Sequence, residues 1–347
     1  MKFHQNAQQV IVISYFAKKK MPLIQSDYQP SFIFKNGHFS TIYSAKLRTS
    51  PGLIQKRERV TLPDHDFIDI DWSHAKQPTK KVAILLHGLE GNAQRIYIKG
   101  AANALLEDHW DIAAMNFRGC SGENNTRYQS YHSGKTDDLE SIINHILEKD
   151  HYQEIVLVGF SLGANLLLKY LGERETVPKE IKKGVAISAP TSLRGSLESL
   201  NKPENLPYRT VFLISLRKKY QLKMKQHPDK MFASELNKIK SLKDFDDSYT
   251  SKAHGFKDAY DYYKINSSNQ FLPNIKVPVL ILNAKNDSFL NPDCFPFEIA
   301  KNSENVFLET PMHGGHVGFH LSKGTYYSEK RTVSFLKNKF SKRRDSK

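Results

Sequence analysis

The chain has 347 residues, of which 39% are hydrophobic, 25% charged and 11% aromatic, ordinary values for a globular protein able to bury a full core. Its two cysteines, Cys120 and Cys294, exclude a disulfide framework and set a reducing, cytoplasmic compartment as the expectation. A net charge of +15 raises nucleic acid and anionic membranes as partners. The basic residues concentrate in stretches 217–225, 237–243 and 337–344, without RNA-type aromatics or a DNA-reading motif. A solvated basic face is the first reading, peripheral contact with an anionic membrane the second, and nucleic acid the last.

Residues 1–20 contain one apolar patch, VIVISYF (10–16), too short to span a bilayer and followed by no small-residue cleavage site. AKKK then precedes Met21, and lysine codons are purine-rich. Residues 18–20 are therefore expected to be a translated ribosome-binding site and residues 1–20 a gene-model extension, with synthesis starting at Met21; the alternative is a disordered or weakly membrane-seeking leader. Residues 21–55 mix aromatic and polar side chains and read as an arm packed on the main domain. Two alternating runs, KRERVTL and FIDIDW, flank a Pro-Asp-His-Asp turn and predict a hairpin.

From VAILLHG (82–88) onward the pattern is strand, helix, strand: a doubly buried strand, a helix over about 95–107, strand 111–117, helix 136–149 with Thr136 as N-cap, strand EIVLVGF (154–160), a helix, and strand 183–189. Such alternation implies right-handed crossovers and an α/β fold: a mostly parallel sheet with helices on both faces. Residues 191–274 break the rhythm with polar, basic, proline-punctuated sequence and are expected to form a helical cap insertion. The core would thus come in two parts, 56–190 and 275–342, followed by a basic tail at 343–347. The second part reads as strand 277–285, helix PDCFPFEIA, strand NVFLET and a last helix over about 325–340.

The chemistry centres on Gly159-Phe160-Ser161-Leu162-Gly163, directly after strand EIVLVGF and before a helix, the context of a nucleophile elbow. A serine hydroxyl needs a base, and the base needs a carboxylate to fix its tautomer. On such a sheet the partners follow later, each on a loop after a strand. Asp287 lies just beyond strand 277–285; Asp293 is the rival, farther from the strand and at the start of a helix. After NVFLET three histidines compete: His313, His316 and His320. His316, preceded by two glycines, best suits a loop that turns an imidazole back to the sheet edge. A zinc site built from the three is disfavoured, because no H-E-x-x-H arrangement supports it. The oxyanion donors are expected to be the N–H groups of Leu162 and Leu89, the latter in the HGLEG loop, where His87 is read as structural. Cys120 is read as a small buried residue. Gly134-Lys135-Thr136 lacks the first glycine of a phosphate loop, and no dinucleotide fingerprint follows a strand, so no cofactor or metal is expected.

Several stretches resemble the YheT-like subfamily of the α/β hydrolases: NGHFSTIY (36–43), LLHGLEGN (85–92), MNFRGCSGENN (115–125), YHSGKTDDL (131–139), VGFSLGANLLLKYLGE (158–173), AKNDSFL (284–290) and HGGHVGF (313–319). The resemblance implies an α/β-hydrolase fold, a serine carboxylic-ester hydrolase acting on acyl esters or lipids, and Ser161, Asp287 and His316 as triad. Asn116, Arg118, Gly119 and the Tyr131–Gly134 segment match without a chemical role and are expected to shape the loop after strand 111–117. The alternatives are an alcohol O-acyltransferase using the same triad, and a non-catalytic basic surface-binding protein. The cap matches least well, so the acyl chain and head group are left open.

Overall fold

A computed structural model describes residues 22–49, 52–322 and 324–338; the expected leader at 1–20 and tail at 343–347 lie outside them. After β1 (Leu23–Ile24), a 3₁₀ turn at Phe32–Lys35 leads into α1 (Gly37–Ile42). β2 (Lys56–Thr61) and β3 (Phe67–Ser73) form the expected antiparallel hairpin. There follow β4 (Lys81–Leu86), α2 (Ile96–Glu107), β5 (Asp111–Asn116), α3 (Thr136–Glu148), β6 (Glu154–Phe160), α4 (Leu162–Glu173) and β7 (Ile181–Ile187). Helices α5 (Leu193–Leu200), α6 (Leu206–Gln226), α7 (Ala233–Lys238), α8 (Leu242–Phe245), α9 (Ser251–His254) and α10 (Ala259–Asn266) then form the cap insertion. The alternation resumes with β8 (Val279–Leu282), α11 (Phe297–Asn302) and β9 (Val306–Glu309), and closes with the β10 (His320–Ser322) and β11 (Thr325–Tyr326) pair and α12 (Tyr327–Lys337).

The main sheet has nine strands in the order β1-β9-β8-β7-β6-β4-β5-β3-β2, parallel from β1 to β5 and antiparallel at β3 and β2. β4 shows why these residues make such a sheet. Val82, Ile84 and Leu86 pack with Ile142 of α3 and Leu167 of α4, while Ala83 and Leu85 pack with Ile98 of α2 and Phe335 of α12. Both faces of the strand are covered, so alternation of polar and apolar residues is absent and every position from Val82 to Leu86 is apolar. Each such aliphatic side chain contributes about 1.5–3 kcal/mol by leaving water.

Four local expectations are corrected. Thr136 is the first residue of α3 and its hydroxyl bonds the Glu173 carboxylate, so it caps nothing; Lys135 holds the cap position. The arm supplies a sheet strand, β1, paired parallel to β9, as well as α1. The stretch PDCFPFEIA is a 3₁₀ turn at Pro292–Cys294 and then α11, because Pro296 cannot continue the first turn with an N–H. The last helix begins at Tyr327, since Thr325 and Tyr326 pair with β10.

Arg118 organises the loop after β5. Its guanidinium, 4% exposed, pairs with Asp138 at 2.7 Å, Asp64 at 2.6 Å and Asp66 at 3.2 Å. Asp66 also accepts from Asn125 Nδ2 at 2.6 Å and from the amides of Phe67, Thr126 and Arg127. Asn116 fixes the same region by accepting from Ala93 N–H and donating to the Asp69 carbonyl. Removing this guanidinium leaves the two buried carboxylates, Asp66 and Asp138, without the cation that pairs directly with both. Arg118→Met should therefore cost about 3–5 kcal/mol in denaturant unfolding; a loss below ~1 kcal/mol would show the cluster to be dispensable.

Candidate active site

The turn between β6 and α4 places Ser161 at φ 52° and ψ −118°, a conformation that non-glycine residues rarely adopt. Two missing side chains permit it. A Cβ on Gly159 would stand 2.4 Å from the Gly163 carbonyl oxygen, and one on Gly163 would stand 2.5 Å from that of Leu86. Ser161 N–H bonds the Ile187 carbonyl at 2.9 Å, which ties the turn to β7.

The loops after β8 and β9 bring the expected partners to this serine. Ser161 Oγ lies 2.9 Å from His316 Nε2, and His316 Nδ1 lies 2.8 Å from Asp287 Oδ2. Asp287 is buried, and its Oδ1 accepts from Phe289 N–H at 3.0 Å. The Phe289 ring stacks on His316 with centroids 4.1 Å apart. The rivals sit elsewhere: Asp293 is exposed in the 3₁₀ turn, His313 bonds the Lys35 carbonyl, and His320 stacks on Phe34 at 3.8 Å.

The arm reaches this site, which the sequence did not reveal. Thr41 Oγ1 accepts from His316 N–H at 2.8 Å, while the hydroxyls of Ser40 and Ser44 donate to the carbonyls of Gly314 and Gly318. Asn286 bridges the two sides, accepting from Gly315 N–H and donating to the Lys35 carbonyl. A Cβ on Gly315 would stand 2.3 Å from the Gly37 carbonyl, so α1 lies directly on the histidine loop. From the other side Ser188 Oγ accepts from Val317 N–H at 2.9 Å. The signal was the small hydroxyl residues within NGHFSTIYS, spaced along one helix and its π-helical continuation at Tyr43–Leu47.

The HGLEG loop faces Ser161: a Cβ on Gly88 would lie 3.2 Å from Ser161 Cβ. Leu89 and Leu162 both line the same cavity as Ser161. Among the described residues, neither of their N–H groups donates to a protein acceptor. His87 is fully buried between loops: Nδ1 donates to the Gly88 carbonyl at 2.7 Å and Nε2 accepts from Phe117 N–H at 3.1 Å.

The cavity, with a volume of about 130 Å³, runs between sheet edge and cap. Leu193, Leu197, Leu200, Phe212, Leu216 and Phe289 make much of its wall apolar. Its size is close to the ~150 Å³ of an apolar cavity that takes up a benzene ring. Of the segment Tyr131–Gly134, Tyr131, His132 and Ser133 line it too. Ser133 N–H donates to Tyr262 OH, and the Ser133 carbonyl accepts from Asn165 Nδ2, which also bonds the Asn266 carbonyl. Asn165 in the first turn of α4 thereby joins core and cap. Asp246 of the cap also lines the cavity; burial raises its carboxyl to about 6, against hydrogen bonds from Tyr263 and Thr250.

The basic run 217–225 does not form the expected solvated face. Lys219 and Lys223 are buried; Lys223 Nζ donates to the Asn125 carbonyl at 2.8 Å, and Arg217 bonds the carbonyls of Leu236 and Ile239. Lys218 and Lys225 remain exposed. No helix of the described residues is long and apolar enough to cross a membrane.

Comparison with known proteins agrees with this architecture. A family model for the α/β hydrolase fold matches residues 82–322. YheT of Escherichia coli K12 is 31% identical over 85% of this chain and 87% of its own length. Phospholipase ABHD3 of Bos taurus is 29% identical over 88% of this chain and 76% of its own. Among solved structures, the esterase Pf2001 of Pyrococcus furiosus superposes with a TM-score of 0.55 at 18% identity, covering 84% of this chain and 97% of that one. The chain belongs to the α/β hydrolase fold family.

Burial keeps the His87 imidazole neutral by lowering it to about 3. Unfolding releases it to the ordinary ~6.5, so the unfolded chain binds the extra proton between these values. The stability it carries is complete above about pH 6.5 and is lost as pH falls toward 3. His87→Gln should flatten the acid limb of a Tm-against-pH curve between about pH 6.5 and 4, by an amount on the order of a few kcal/mol. An acid limb identical to that of the parent protein would refute the assignment.

Proposed function

We propose that this protein is a serine carboxylic-ester hydrolase acting on acyl or lipid-like esters, of the monoacylglycerol or phospholipid type. The supporting observation is the hydrogen-bonded line from Asp287 through His316 to Ser161, opening on an apolar cavity. His316 Nε2 takes the Ser161 proton as Oγ attacks the ester carbonyl. Asp287 stays ionised and stabilises the imidazolium through Nδ1–H. The amides of Leu162 and Leu89 hold the oxyanion. His316 then protonates the leaving alcohol, and water repeats the attack on the acyl-enzyme. Relatives named phospholipase ABHD3 and, in Saccharomyces cerevisiae, monoacylglycerol lipase support lipid esters as the substrate class. The same groups could pass the acyl chain to an alcohol instead, and product analysis with added ethanol separates the two reactions.

Ser161→Ala should lower turnover of a p-nitrophenyl ester by about 10⁴-fold or more with the fold intact, and abolish labelling by a fluorophosphonate. Full esterase activity in that variant would overturn the assignment. Thr41→Val removes the acceptor for His316 N–H. It should reduce kcat by roughly tenfold with little change in KM, as expected when a reacting group is misplaced; unchanged kcat would limit the arm to a structural part.

Lipid delivery fits the surface around the site. Val211 and Ile214 on α6 are 60% and 63% exposed, and Phe32 and Ile33 of the arm are 85% and 57% exposed. The His38–Tyr208 contact at 3.1 Å joins the arm to α6, and Tyr208 packs on Phe289 beside His316. We read this apolar rim as the face that meets a lipid surface. Val211→Ser with Ile214→Ser should leave hydrolysis of a soluble short ester within twofold while reducing sedimentation with phosphatidylcholine–phosphatidylglycerol vesicles. Equal vesicle retention in parent and variant would remove this reading.

A further inference from the structure

Glu90 follows the Leu89 amide directly and, at φ 52°, holds a left-handed conformation without being glycine. The turn around it is closed by Gly91 N–H to the Gly88 carbonyl at 3.0 Å, so the Glu90 backbone sets the direction of the Leu89 peptide. Arg95 Nη2 donates to the Glu90 carbonyl at 2.7 Å, and four further hydrogen bonds hold the amide and carboxylate of Glu90. Its N–H donates to Tyr131 OH at 2.9 Å, and Tyr131 OH donates in turn to Glu90 Oε1 at 2.6 Å. Ser215 Oγ donates to Oε2 at 2.6 Å, and Lys219 Nζ pairs with Oε1 at 2.7 Å. Ser215 and Lys219 both stand on α6, in the cap. Lys219 Nζ is held further by the Tyr131 ring, 4.5 Å away, and by Cys120 Sγ at 3.3 Å.

Both charges are out of water: the side chains of Lys219 and Glu90 are 10% and 9% exposed. Burial works against each ionised form. For Glu90, the Lys219 charge and the three side-chain hydrogen bonds more than offset it and hold the carboxyl below its ordinary value. A buried ion pair is a poor source of net stability, since desolvation consumes most of the attraction. The cap already has an apolar cluster of its own, with Leu216, Tyr220 and Tyr249, that could seat it without charges. What the pair adds is direction: one partner lies on the cap and the other on the turn beside Ser161.

We propose that Glu90 and Lys219 form a positioning pair that couples seating of the cap to orientation of the Leu89 amide, so that this oxyanion donor is set only when α6 is docked. The inference rests on the hydrolase reading above, with Leu89 N–H as donor. Neither side chain takes part in bond making.

The test compares the parent protein with Glu90→Gln, Lys219→Met, the double variant and Lys219→Arg on a soluble p-nitrophenyl ester, below each protein's Tm. The rate of fluorophosphonate labelling is measured in parallel. Each neutralising single change should lower kcat and the labelling rate tenfold or more with KM within twofold. The double variant should lose no more than the worse single, because one interaction is removed in all three. Lys219→Arg should recover kcat to within about threefold of the parent. A folded Glu90→Gln protein with parental kcat and a lowered Tm would overturn the proposal, leaving the pair as scaffold only. Losses that multiply in the double variant, or a raised KM at constant kcat, would overturn it too. Should Glu90→Gln fail to fold, the Lys219 variants carry the same kcat-against-KM comparison. A parent protein that is neither active nor labelled would refute the hydrolase reading itself, a result distinct from all of these.

Discussion

The serine at the end of β6 can occupy its strained turn only because Gly159 and Gly163 present no Cβ to the carbonyls around them. Everything near the site is arranged about that constraint. The absence of side chains lets α4 approach β4 and β6 closely, which directs the N-terminus of α4 toward the cavity. Ser161 is also not alone in its conformation. Glu90, Ser188 and Val317, all non-glycine, have φ of 52°, 51° and 56° on the loops after β4, β7 and β9. Such positions cost on the order of 1–3 kcal/mol each and persist only where neighbours over-determine them. Here the neighbours are visible: Glu90 is held by Tyr131 and Lys219, and the Val317 N–H by the Ser188 hydroxyl.

The parallel core was legible because a strand covered on both faces must be apolar at every position, as Val82–Leu86 are. The elbow was legible for a related reason: the turn tolerates only glycine at two fixed positions. The loops after β8 and β9 followed from topology, which brings strand ends to one edge, and the structure gathers Asp287 and His316 there with Ser161. β1 escaped notice because two residues carry no periodicity. The arm's contacts with the histidine loop escaped for another reason, since they run from hydroxyls to backbone carbonyls and amides, which any sequence supplies.

α6 is the most instructive failure of pattern reading. Its exposed positions include Val211 and Ile214, while Lys219 and Lys223 point inward. Buried lysines share the inner side of the helix with Leu216 and Tyr220, because that side meets a carboxylate and loop carbonyls as well as the apolar cavity. A formal charge of +15 thus overstates the cation available to an external partner. Arg57 and Arg59 likewise bind Asp71 and Asp69 across the β2–β3 hairpin.

The contacts between the arm and the histidine loop join residues as much as 275 positions apart in the chain. A ribosome makes the two halves of that clamp 275 residues apart. Most of the sheet and the whole cap can emerge and condense before Gly314 and His316 exist for Ser40 and Thr41 to grip. Long-range closures of this kind form late. A chain that stops before residue 316 therefore lacks the imidazole that the folded protein sets beside Ser161.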